Sequence, residues 1–148
     1  MTKKADFNAD EWAKVVEGPL LAGLRVISAD RGGTIRETVA MSKVYAHARE
    51  NQGNSELLDE LVASPPGLDP ARAKTAPQEA TEGLRVAVGV LEEKATPEEV
   101  EAFKGFVRDV AQATARAHKE GGFLGIGGKE IHPDEQTALD EIEAVLSQ

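Results

Sequence analysis

Carboxylates are the residues of this chain best suited to chemistry. They gather at Glu92, Glu93, Glu98, Glu99 and Glu101, and again at Glu130, Asp134, Glu135, Asp140, Glu141 and Glu143. Hard cations such as calcium or magnesium take oxygen ligands of this kind when several converge on one point. The same residues also serve as helix N-terminal charge and as solvated faces. His47 and His118 fall near helix C-termini and His132 precedes Pro133, and none has a sequence neighbour that marks it as a ligand or a base.

A second feature is the loop over residues 121–128, in which five of eight residues are glycine and the others are Phe123, Leu124 and Ile126. Tucked into the core, these three make a defined turn; exposed, they form a knob for a protein partner. Its end, Gly127-Gly128-Lys129, lacks the preceding strand and the Ser/Thr of a phosphate loop. There is no Glu-x-x-His pair, no His-Glu-x-x-His and no Gly-x-Ser-x-Gly elbow, so the familiar enzyme classes lose support. A catalytic reading would need His47 or His118 joined to Asp30 or Glu37 across separate helices.

The frame for these residues is helical throughout. The 148 residues suit one domain, and the 41% apolar content comes mainly from Ala, Val and Leu, which suits close-packed helices. The expected fold is all-α, a single-domain bundle of five or six helices over 1–148. No stretch alternates with period two.

Asn8 or Asp10 caps a first helix carrying Trp12, Val15, Val16, Leu20, Leu24 and Ile27, bent at Pro19. Asp30-Arg31-Gly32-Gly33 is a turn, and Thr34 and Glu37 have capping-box spacing. The helix that follows turns Ile35, Val39, Met41, Val44, Tyr45 and Ala48 inward. Ser55 caps a short helix through Leu57, Leu58, Leu61 and Val62, and residues 65–76 mark a seam between halves.

From Pro77 to Lys94 the apolar set is Ala80, Leu84, Ala87, Val88 and Leu91, with Gly83 and Gly89 as points of close approach. Thr96-Pro97-Glu98-Glu99 is the clearest helix start. Val100, Phe103, Val107, Val110, Thr114 and Ala117 follow at steps of three and four, which places the helix to Lys119 at the centre. Ile131 staples a last helix opened by Pro133, Asp134 and Glu135, with Leu139, Ile142, Val145 and Leu146 on its apolar face. Gly23-Leu24-Arg25-Val26 recurs as Gly83-Leu84-Arg85-Val86. A duplicated helix pair explains this, as does coincidence in an Ala/Val/Glu-rich chain.

Asp30, Gly32, Gly33, Ile35 and Glu37, and more faintly Gly128, Ile131 and Glu135, form a repeated acid, glycine turn, Ile and helix-start Glu. This resembles the tellurite-resistance TerB-like superfamily of small all-helical proteins. The resemblance implies a role in bacterial stress responses and metal sensing or binding. If a divalent cation binds, Asp30 and Glu37 are the first candidate ligands, with Asp134 and Glu135 behind them.

The expected function is therefore a non-enzymatic bacterial helical protein with weak divalent-cation binding. The alternative is a scaffold or adaptor docking on a protein through Phe123, Leu124 and Ile126. With 26 acidic against 17 basic residues the net charge is -9, which argues against nucleic acid as a partner. The absence of cysteine, of a signal peptide and of an apolar run long enough to span a bilayer points to the cytoplasm.

Overall fold

The computed structural model describes residues 2–29, 34–51, 53, 55–63, 77–120 and 133–147, the side chains of 34–36, 77 and 118–120 apart. The turn at 30–33, the seam at 65–76 and the loop at 121–132 lie outside the described residues. A short 3-10 turn at Lys4–Asp6 precedes six α-helices: α1 (Ala9–Ser28), α2 (Thr34–Glu50), α3 (Glu56–Ala63), α4 (Pro77–Lys94), α5 (Pro97–Glu120) and α6 (Pro133–Leu146). No strand occurs among the described residues.

Local chemistry accounts for the helix starts. Asn8 accepts from the Glu11 N–H at 2.8 Å while the Glu11 carboxylate accepts from the Asn8 N–H at 2.9 Å, a reciprocal capping box. Thr96 and Glu99 repeat it at 3.2 and 3.0 Å, with Pro97 at the first helical position, where its missing donor is no loss. The Ser55 hydroxyl accepts from the Leu58 N–H at 3.3 Å and opens α3. Between α2 and α3, Gly53 adopts a φ of 115°, a conformation open to glycine and strained for L side chains. Pro19 sits inside α1, which continues through it.

Named contacts fix the directions of the helices. α1 and α4 run antiparallel: Lys94 pairs with Glu11 at 2.6 Å, and a Cβ on Gly18 would lie 3.1 Å from Ala87. A Cβ on Gly83 would overlap Leu21. α2 packs along α5, with Tyr45 edge-on to Phe106 at 5.1 Å. The Arg49 guanidinium near the end of α2 donates to the Val62 carbonyl of α3. α3 holds the chain's first residues through the Lys4 N–H to Glu60, and Thr2 beside them holds Glu99 at the start of α5. The C-terminal end of α2 thus lies at the N-terminal end of α5, and the two are antiparallel. α6 is also antiparallel to α5, since the Arg108–Glu143 pair joins them and Gln112 and Arg116 share a cleft with Gln136 and Asp140.

The helices that the sequence repeat would equate, α1 with α4 and α2 with α5, are thus the ones that pack on each other. The repeated tetrapeptides nevertheless sit differently, for Arg25 and Val26 are buried whereas Arg85 and Val86 are exposed.

Two expectations need correction. Val39 is 47% exposed. The inward stripe of α2 runs through Glu37, Met41, Val44, Tyr45 and Ala48, and Val39 falls about 200° from Met41 around the helix. Gly89 meets nothing within 4 Å, so only Gly83 of the α4 pair is a close-approach point. α5 contacts every other helix, as expected of the central element, and the second half of α1 is enclosed as well, residues 18–27 all being buried. A helix walled in on all sides is apolar all round, and that is how Pro-Leu-Leu-Ala-Gly-Leu reads.

Candidate functional site

Two carboxylates stand out by burial. Glu37 in the first turn of α2 is 0% exposed and Glu135 in the first turn of α6 is 1% exposed. Carrying the register along α5 from Tyr45–Phe106 places Glu37 at the level of Thr114. Carrying it from Arg108–Glu143 places Glu135 at the level of Arg116. Those levels differ by two residues, about 3 Å of helical rise. Both acids therefore sit at one end of the bundle, beside the last turns of α5. The buried residues of α5 at that level are small, Thr114, Ala115 and Ala117.

Removing a carboxylate from water costs several kcal/mol, of order, unless amides, cations or a proton compensate. A helix's first turn favours negative charge, and both acids already make polar or electrostatic interactions within the chain. Oxygen donors held out of water also match what a hard cation requires. Two of the four residues singled out as metal ligands, Glu37 and Glu135, are thus brought to the same end. Asp134 is exposed beside Glu135, and Asp30 lies outside the described residues, as do Phe123, Leu124 and Ile126. No group of three or more His, Asp or Glu able to hold a metal occurs among the described residues.

The catalytic constellation finds no support in His47. It is exposed near the end of α2, ten residues from Glu37 and so about 15 Å away along the axis, and it lies against Asn51. The side chains of His118 and His132 lie outside the described residues. Tyr45 is buried, its hydroxyl has no hydrogen-bond partner among the described residues, and burial pushes its pKa up.

Elsewhere the ionic chemistry ties elements together. Glu99 accepts from the Thr2 N–H at 2.8 Å and the Thr2 hydroxyl at 2.7 Å in addition to its Thr96 contact. Burial raises its pKa, but the hydrogen bonds from Thr96 and Thr2 together outweigh this and hold it at about 2. The Arg108 guanidinium donates two bonds of 2.9 Å to Glu143, which lowers the carboxyl's pKa and raises that of the arginine.

That pair closes one end of a cleft of about 400 Å³ between α5 and α6, floored by Leu139 and Ile142. The sequence reading missed this cleft. Its signal is the spacing of Arg108, Gln112 and Arg116 four residues apart on α5, facing Gln136 and Asp140 four apart on α6.

Comparison of the chain with protein-family models, with curated proteins and with solved structures finds no match. Among the described residues no helix is long and apolar enough to cross a membrane.

Proposed function

We propose that this chain is a non-enzymatic cytoplasmic helical protein that takes a divalent cation at the end of the bundle where α2 and α6 begin. The setting is a bacterial stress response, in keeping with the TerB-like resemblance of Asp30, Gly32, Gly33, Ile35 and Glu37. The observation that carries the reading is the burial of Glu37 and Glu135 at that one end. Glu37 and Glu135 are the inner ligands and Asp30 the further oxygen donor, whereas Asp134, exposed beside Glu135, does not converge with the two buried acids. Carboxylate oxygens favour calcium or magnesium over softer metals. The affinity expected is in the weak range of about 10⁻⁴–10⁻³ M.

The experiment is isothermal titration of the protein with calcium, magnesium and zinc chlorides. Saturable heat with one of them supports the reading, and no heat with any removes it. Docking through Phe123, Leu124 and Ile126 is the alternative, and it concerns residues outside those described.

A further inference from the structure

The lining of the α5–α6 cleft includes neither buried acid, and its polar groups are arranged by sign. One wall, from α5, presents the exposed Gln112 and Arg116; the other, from α6, presents the exposed Gln136 and Asp140. The Arg108 and Glu143 charges are already spent on each other at 2.9 Å, so they close the cleft without adding net charge. Arg116 makes no ion pair among the described residues, although the protein carries a net charge of -9. Asp140 accepts one bond, from the Gln136 amide at 2.9 Å, which leaves its carboxylate further acceptor capacity.

The α5–α6 register puts Arg116 and Asp140 five residues apart in level, roughly 7–8 Å along the axis. The two form no ion pair with each other. The offset leaves room for a ligand that brings an anion to one and a cation to the other. Between them lies the half-buried Leu139, with the buried Ile142 beneath it. The cleft is open to solvent, and its volume of about 400 Å³ is of small-molecule size.

We propose that this cleft binds a free α-amino acid with an apolar side chain. Arg116 and Gln112 receive its carboxylate, Asp140 receives its ammonium group, and Leu139 and Ile142 receive its side chain. A guanidinium fork suits a carboxylate, and an acid with spare lone pairs suits an ammonium. A simple anion would use Arg116 alone and leave Asp140 and the apolar floor without a role.

Calorimetric titration with leucine, N-acetyl-leucine and leucinamide tests this, since the second lacks the ammonium group and the third lacks the carboxylate. Leucine is expected to bind, and each blocked form to bind at least about tenfold more weakly, a difference of about 1.4 kcal/mol. Arg116→Gln and Asp140→Asn, both at exposed positions and expected to keep the parent's helical circular dichroism, are each expected to weaken leucine by a similar factor. Absence of leucine heat at millimolar concentration overturns the proposal. So does N-acetyl-leucine binding as tightly as leucine, the result of a simple anion site, and so does unchanged affinity in both variants.

Discussion

Gly23 of α1 is seated directly against the thioether of Met41 on α2, so closely that a Cβ at Gly23 would overlap the sulfur. Met41 is 1% exposed, so swinging its side chain aside must displace packed neighbours. Gly23→Ala is therefore expected to destabilise the fold by about 1–3 kcal/mol, even though alanine is the better helix former. Gly89, with open space around it, is the control, and Gly89→Ala is expected to stabilise by about 0.5–1 kcal/mol. Urea denaturation of the two variants checks both signs.

The rotation of α2 can be tested separately. Val39 faces water, so Val39→Lys should stay within about 0.5 kcal/mol of the parent. Met41→Ala, two residues on, should lose about 2–5 kcal/mol. Thermal unfolding of the pair distinguishes this placement from the inward Val39 expected from the sequence.

Glu99 supplies a pH dependence with a definite sign. Its folded pKa, about 2, lies below the ordinary value of 4.5. Its stabilisation is therefore complete above about pH 4.5 and is lost as the pH falls toward 2. Glu11, held down by the Lys94 ammonium, and Glu143, held down by Arg108, act in the same direction. Glu99→Gln isolates the single group. The parent should be more stable than the variant at pH 7, and the gap should shrink steadily below pH 4.5. A gap independent of pH would contradict the Thr2 and Thr96 hydrogen bonds as its source.

Helix existence and starts were legible because their signals are local. The Pro77 and Pro97 starts, the Asn8 and Ser55 caps and the Thr96–Glu99 box each depend on a few neighbouring residues. The inward set of α5 was legible for the same reason, since steps of three and four define a face. What periodicity leaves open is how far a helix is wrapped by its neighbours. Residues 18–27 of α1 read as one apolar face yet are buried all round.

The candidate site was legible in identity and illegible in environment. A glutamate in a helix's first turn has the same sequence signature whether it is solvated or enclosed. Glu135 and Asp134 are adjacent in the chain, yet one is buried and the other exposed. The meeting of Glu37 and Glu135 at one end follows from antiparallel packing of α2 and α6 on α5, which no local pattern encodes.

The most direct measurement of the central claim is calcium and magnesium titration of the parent beside Glu37→Gln and Glu135→Gln, with helical content verified for each by circular dichroism. The account predicts saturable heat and a rise in melting temperature for the parent, with both lost in either variant. A parent that shows neither effect, or variants that match it, would contradict a cation site at the buried acids.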